Sequence, residues 1–300
     1  DGNVDMERTA ARLKDFAHRN GAFVLPGFYG ATVDGAIKLF QRGGGDITGA
    51  IAARCLDADV YENWTDVSGF LSADPRIVEN PRSIRFDEMR ELSYMGASVL
   101  QEEAIFPVRE VNIPIKIMNT NRPQDAGTTI RETAEAGADE HLITGIAGRK
   151  DFMAVHVKKA HMSNEVGVVS RALSIFDRYG VSIEHIPTGV DSFGVVVAAA
   201  DVKDKIYAIV NDIRREIKPD DIVMVDKLAL ISVVGRNMSK RSGTSGKIFG
   251  ALGDAGINIR MITQSSEEIS IIVGVDNTDF ERAIKVIYER FVRNEMVSAE

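Results

Sequence analysis

Two short polar stretches hold the residue types from which a phosphate-handling cleft is made. The first, residues 64–76, reads Trp-Thr-Asp-Val-Ser-Gly-Phe-Leu-Ser-Ala-Asp-Pro-Arg. It opens on two small hydrogen-bonding residues, Thr65 and Asp66, turns at Ser68-Gly69, crosses Phe70 and Leu71, and closes on Asp74-Pro75-Arg76. A loop leaving a strand end with acceptors, a glycine and an arginine is where open α/β sheets bind ligands. The second stretch, Gln41-Arg42-Gly43-Gly44-Gly45-Asp46, lies about 20 residues upstream and runs into an apolar helical pattern. Glycines let the backbone come close to a ligand, and a helix N-terminus favours an anion. One shared cleft is the functional expectation; two ordinary βα turns fit the same residues.

The elements that must position these loops follow from periodicity. Residues 59–64 alternate polar and apolar and predict a strand feeding the first loop, while residues 47–56 predict a helix after the second. Upstream, residues 6–20 have helical spacing and stop at Asn20-Gly21, residues 22–25 read as a short buried strand, and residues 26–30 as a glycine-rich loop. Downstream, residues 94–108 read as a helix, 113–119 as a strand, Asn121-Arg122-Pro123 as a turn, and the polar, Ala/Glu-rich segment 131–140 as a linker. Strands alternating with helices imply an α/β domain with a mostly parallel sheet and helices on both faces.

Composition narrows the function classes. The chain has 300 residues, 44% hydrophobic and 27% charged, which is ordinary for a globular protein of two or three domains. A net charge of −8, with no Lys/Arg block interleaved with aromatics, argues against a nucleic-acid surface. No apolar run approaches the length of a membrane span, and the acidic N-terminus is unlike a signal peptide. Cys55, the single cysteine, makes no internal disulfide, and no Cys/His metal spacing occurs, so no protein-held metal is expected and a reducing, cytoplasmic setting fits.

The second half repeats itself. Residues 175–186 match residues 251–262 at an offset of 76, aligning Gly180 with Gly256, Ile183 with Ile259 and Ile186 with Ile262. The first copy reads as strand 152–157, helix 166–179, strands 181–186 and 193–199, and helix 202–217. The second reads as strand 229–234, helix 246–255, strands 257–263 and 269–275, and helix 280–291. This is a ferredoxin-like βαββαβ pattern twice. The sixth strands are expected at 221–225 for the first copy and 141–146 for the second, which makes the second module discontinuous.

The first half resembles the amino-acid kinase fold, and specifically the aspartokinase family. The resemblance rests on Pro26-Gly-Phe-Tyr-Gly30, Arg42-Gly-Gly-Gly-Asp46, residues 64–76 and Tyr94-Met-Gly-Ala-Ser-Val-Leu100. The second half resembles a pair of ACT modules, the small-molecule regulatory units of that family. The implied architecture is a three-layer α/β sandwich followed by two ACT modules: residues 1–130 a partial catalytic domain, 131–140 the linker, 141–147 a strand lent to the second module, 150–226 the first module and 227–292 the second. Two departures bear on chemistry. The family's opening strand and Lys-Phe-Gly-Gly phosphate loop are matched nowhere, so the chain is expected to start inside the catalytic domain. The family's Gly-Ser-Asp is here Gly44-Gly45-Asp46, without the serine hydroxyl used near the amino-acid substrate. Ser98 stands where the family often has lysine, and Gln101 and Glu102 where it often has histidine and proline.

The resemblance implies transfer of the ATP γ-phosphoryl group, with Mg²⁺, to the side-chain carboxylate of L-aspartate. A carboxylate is already ionised at neutral pH, so no general base is needed; positioning and positive charge must do the work. Arg42 is then a clamp on a substrate carboxylate and Asp46 either a partner of the substrate ammonium or a neighbour of the metal, with Phe28 and Gly45 lining the aspartate pocket. Thr65, Asp66, Leu71, Asp74, Arg76, Ser98 and Val99 fall to the nucleotide, Leu71 replacing an aromatic residue of the family. Without the resemblance, Arg42 equally fits a surface turn, Asp46 a helix cap, and Asp74 with Arg76 a capped turn with a local ion pair. In the first ACT module, Met162, Glu165, Gly167, Val168 and Val169 at the helix start, with Ser182, Ile183, Glu184 and Thr188, are the implied effector site, for lysine first among the amino acids, at a homodimer interface. The alternative is a non-catalytic amino-acid-sensing subunit with the same fold.

Overall fold

The structure, a computed structural model, describes residues 4–40, 43–69, 71–79, 105–130, 142–264 and 266–293. The chain divides into two compact units, Asp1–Ala147 with Val234–Asn237, and Gly148–Val233 with Met238–Glu300. Among the described residues no helix is long and apolar enough to cross a membrane.

The first unit opens with helix α1, Met6–Asn20, capped by Asp5, whose Oδ1 accepts from the Arg8 N–H at 3.0 Å, and ended by Gly21 at φ 62°. Residues 22–25 do not form the expected buried strand: no regular structure is assigned there and Val24 is 93% exposed. The run is short and Pro26, which has no N–H, cuts off the next ladder bond. The chain instead folds into an antiparallel hairpin of β1, Tyr29–Ala31, and β2, Ile37–Leu39, around Gly35 at φ 86°. Helix α2, Gly44–Cys55, starts three residues before the periodicity places it and buries Ala50, Ile51, Ala53 and Cys55. Strand β3, Tyr61–Thr65, pairs in parallel with β4, Ile115–Asn119, Tyr61 opposite Ile115 and Thr65 opposite Asn119. Strand β5, Thr128–Ile130, pairs antiparallel with β4. Of the helix expected over 94–108, the described part is the short α3, Ile105–Arg109. Residues 94–104 and the linker 131–140 lie outside the described residues.

The second unit contains a five-stranded sheet in the order β7-β6-β8-β10-β9. The strands are β6, Gly145–Lys158; β7, Ser192–Ala198; β8, Asp221–Val234; β9, Met261–Gln264; and β10, Ser270–Asp276. The longer helices are α4, Val168–Arg178; α5, Ile206–Ile217, which starts later than the expected 202 because a separate short helix ends at Val202; α6, Thr244–Asp254; and α7, Phe280–Tyr288. The repeat is visible in the backbone: α4 and α6 are offset by 76 residues at both ends, each preceded by a left-handed glycine, Gly167 and Gly243. After α4 the Val181 N–H reaches back to the Phe176 carbonyl at 3.1 Å, and after α6 the Ile257 N–H reaches the Leu252 carbonyl at 2.9 Å. Gly180 and Gly256, at φ 62° and 68°, make both returns possible.

Three expectations need correction. Residues 181–186 are not a strand; isolated bridges, His185 to Val196 and Thr188 to Phe193, hold this segment, and Pro187 gives its carbonyl to the Gly194 N–H but has no donor of its own. The separate strands 221–225 and 229–234 are one strand, β8, which passes through Lys227 at φ 54°. Likewise 141–146 and 152–157 do not remain apart: β6 is continuous from Gly145, with Asp151 at φ 66°, and His141 lies outside the described residues.

The first module's core packs Val155, Val157, Phe193, Val195 and Val197 of the sheet against Ala172, Ile175, Phe176, Ile209 and Ile213 of the helices. Phe176 is fully buried. Phe176→Ala should therefore destabilise the unit that contains it by about 3–5 kcal/mol, read as a lower urea midpoint at unchanged slope.

Candidate functional site

The first unit's chemistry starts on one face of β3. Successive strand residues point to opposite faces, so Tyr61, Asn63 and Thr65 share a face and Glu62 and Trp64 share the other. Asn63, buried, donates from Nδ2 to the Tyr61 hydroxyl and to Asp46 Oδ1, both at 3.0 Å, and the Tyr61 hydroxyl donates to the Asp46 carbonyl at 3.1 Å. Burial of the Tyr61 ring pushes its hydroxyl pKa up, so it stays a donor. This triangle fastens the first turn of α2 to the strand that leads into the polar loop. Asp46 is not the helix cap; Gly43 holds that place at φ 87°, and Asp46 sits within the first turn, where an acid favours the helix dipole.

The glycines of this turn differ in what they permit. A Cβ on Gly44 would lie 2.7 Å from Phe40 Cβ and 2.8 Å from Phe28 Cδ2, whereas a Cβ on Gly45 would meet nothing within 4 Å. Phe28 is held with φ 79°, its N–H donating to Thr48 Oγ1 at 3.0 Å and its ring partly exposed beside Gly44. Phe28, Gly45 and Asp46 are thus gathered at the start of α2. Arg42, Ser98 and Val99 lie outside the described residues.

Beyond β3, the Thr65 hydroxyl donates to Asp66 Oδ1 at 3.2 Å, and the Thr65 carbonyl accepts from both the N–H (2.8 Å) and the hydroxyl (2.9 Å) of Thr120. Ser68 donates to Asp125 Oδ2 and accepts from Asn119 Nδ2 at 2.8 Å. Gly69, at φ 106°, could not carry a Cβ, which would fall 2.3 Å from Thr128 Oγ1. At the far end, Asp74 and Arg76 are paired with each other: Arg76 donates to Asp74 through its backbone N–H (2.8 Å), Nε (3.0 Å) and Nη2 (2.6 Å), and these bonds hold the Asp74 carboxyl below its ordinary range. Arg76 is 87% exposed, and Leu71 is half-buried. Trp64 is 46% exposed and donates to Glu62 Oε2 at 3.1 Å, because both lie on the strand face opposite Asn63. Among the described residues no group of three or more His, Cys, Asp or Glu could hold a metal ion.

The sequence reading missed Asn63, Tyr61, Asn119 and Asp125. Asn119 was legible only as the last residue of a strand; the register that sets it opposite Thr65 is a tertiary fact.

In the second unit the expected effector residues fall in several different settings. Met162 and Val168 point into the core of the first module. Glu165 is paired with Lys159 at 3.1 Å and with Arg171, and the Lys159 bond leads in lowering its pKa. Glu184 lies 3.9 Å from Arg149, Ser182 and Thr188 are exposed, and Gly167 caps α4. Val169 and Ile183 share an open groove of about 640 Å³ with Leu173, Asp177 and Val181. A second cavity, about 570 Å³, is lined by Met238, Arg241, Gly243, Thr244, Gln264 and Glu268, among others. The 76-residue offset carries Met162, Gly167 and Thr188 onto Met238, Gly243 and Gln264, so this cavity holds in the second copy the place expected for the effector in the first.

Comparison with known proteins agrees with both units. The amino acid kinase family model matches residues 3–119 and the ACT domain model residues 231–291. Aspartokinase 3 of Bacillus subtilis is 36% identical over 99% of this chain, and the bifunctional aspartokinase/homoserine dehydrogenase of Haemophilus influenzae 30% identical over 99%. The crystal structure of Clostridium acetobutylicum aspartate kinase superposes with a TM-score of 0.90 at 47% identity, covering 96% of this chain and 67% of that one. That of E. coli aspartokinase III with aspartate and ADP, 24% identical with a TM-score of 0.78 over 96% of this chain and 65% of that one, shares the fold. The chain spans 66% of the B. subtilis relative and 37% of the H. influenzae one.

The two neighbouring glycines give a direct check on this site. Gly44→Ala should destabilise by about 1–3 kcal/mol through overpacking, while Gly45→Ser should leave stability within about 0.5 kcal/mol, both read from chemical unfolding.

Proposed function

The chain belongs to the aspartokinase family, and we propose that it carries part of the catalytic domain and the regulatory domain of an aspartate kinase, which transfers the γ-phosphoryl group of ATP to the side-chain carboxylate of L-aspartate. The observation that carries this reading is the Asn63–Asp46 bond. It joins the glycine-rich start of α2 to the strand that delivers Thr65 and Asp66, so the two polar loops serve one place.

In this reading, Phe28 and Gly45 border the aspartate, Asp46 faces its ammonium group, and Arg42 clamps a carboxylate in the bidentate geometry that guanidinium favours. Thr65, Asp66, Leu71, Ser98 and Val99 border the nucleotide. Asp74 and Arg76 reach it once their mutual ion pair opens, which the exposed Arg76 side chain makes easier. Mg²⁺ arrives with the phosphates. The reacting carboxylate is ionised at neutral pH, which is why the site needs no base and relies on orientation. Residues 1–130 form the partial catalytic domain, with 131–140 as linker, 141–147 as the strand lent to the second module, and 150–226 and 227–292 as the two ACT modules. They bind an amino acid, lysine foremost, and pair two copies of the chain in the cytoplasm. The second reading, a non-catalytic sensing subunit, has Gly45 in its favour, since the family's serine hydroxyl is absent there; the open space at that position accepts one.

Acyl phosphate trapped as hydroxamate, from ATP and L-aspartate with the natural full-length protein, decides between the two readings; no hydroxamate leaves the sensing subunit. Arg42→Ala should raise the KM for aspartate at least tenfold, the loss expected for a charged hydrogen bond worth about 1.5–3 kcal/mol; an unchanged KM removes the clamp. Lysine at 100 times its dissociation constant should add about 2.7 kcal/mol of stability. No rise in melting temperature with any aspartate-derived amino acid at millimolar concentration would dismiss the effector role.

A further inference from the structure

We propose that Asn119, on β4, is a positioning residue for the nucleotide loop that leaves β3, acting through Ser68 and Asp125. The inference rests on the nucleotide reading of residues 65–76 given above. Asn119 is 2% exposed, and both its amide oxygen and its amide nitrogen are hydrogen-bonded. Its Oδ1 accepts from the backbone N–H groups of Asn121 (2.8 Å) and Arg122 (3.3 Å), which shapes its own loop. Its Nδ2 donates to Ser68 Oγ at 2.8 Å, and Ser68 passes its single proton on to Asp125 Oδ2. The chain of donors therefore runs one way, from amide through hydroxyl to carboxylate, and a hydroxyl that both accepts and donates is fixed in rotation.

The loop has little freedom to relax elsewhere. Gly69 is in the left-handed region with Thr128 against it, Gly127, at φ 67°, lies so close to the Ile117 carbonyl that a Cβ would stand 2.1 Å away, and Thr120 holds the Thr65 carbonyl from two donors. Asn119 sits directly opposite Thr65 in the parallel register, so its side chain ties the exit of one strand to the exit of the next. Adjacent carboxyl ends of parallel strands are where such sheets take their ligands. A loop set in place before the ligand arrives loses less freedom on binding. Asn119 itself is buried and touches no substrate; its effect is on where Thr65 and Asp66 stand.

Trp64, the single tryptophan of these 300 residues, lies half-exposed beside Thr65, and the change in its fluorescence is read as the difference from a Trp64→Phe control. ADP with Mg²⁺ is titrated into the full-length protein and into two variants. Asn119→Asp keeps the acceptor for the two loop N–H groups and loses the donor to Ser68, and Ser68→Ala removes the relay. Each should raise the ADP dissociation constant and the KM for ATP about 10- to 100-fold while leaving the KM for aspartate unchanged. A purely structural role would lower the melting temperature and leave the ADP affinity of the folded protein as it was. Affinity within about twofold of wild type in the folded variants overturns the proposal. Should Asn119→Asp not fold, Ser68→Ala decides alone. If the wild-type protein neither responds to ADP nor turns over ATP, the nucleotide reading fails first and the positioning role falls with it.

Discussion

The parallel register of β3 on β4 is the constraint from which the candidate site follows. With Tyr61 opposite Ile115 and Thr65 opposite Asn119, both strands end at the same level and their loops leave side by side. Period-2 alternation then sorts the side chains of β3. Tyr61 and Asn63 turn toward α2 and hold Asp46, while Glu62 and Trp64 turn away. A slip of one residue would exchange the two sets, place the indole where the amide now holds the helix, and release the start of α2.

Packing and chemistry make different demands within the glycine-rich turn. Gly44 is required by the phenylalanines that crowd it, and Gly43 by its left-handed backbone as the helix cap. Gly45 answers to neither. A Cβ there would meet nothing within 4 Å, so the fold itself places no demand for glycine at that position. In the first module of the repeat, Met162 and Val168 are buried in the core, and Val169 and Ile183 pack against that core and also line a groove.

Much of this architecture was legible beforehand, and the failures have physical causes. The helices of the repeat declare themselves through their spacing and through Gly180 and Gly256, because a chain leaving a helix in the left-handed conformation favours glycine. Helix α2 was read three residues short because glycines count against a helix in any propensity scale, although tertiary contacts settle the matter here. Asp34-Gly35 is a turn signal at the hairpin of β1 and β2, whereas residues 22–25 predict a strand on hydrophobicity alone, which Pro26 and their exposure overrule. Asn63 and Asn119 were invisible as site residues: an asparagine in a strand carries no sign of which neighbour its amide will meet. Arg42, the residue on which the sequence argument leaned most, lies outside the described part of the chain.

Strands β6 and β8 each run for 14 residues and each bends through a non-glycine residue with positive φ, Asp151 and Lys227. The end of one repeat and the beginning of the next are thus written into a single length of backbone at the middle of the sheet. Such a duplication is hard to undo. Excising either copy would sever a ladder that the survivor also uses and leave a raw edge open to pairing with other chains. Any attempt to transplant one module on its own should therefore carry both long strands whole.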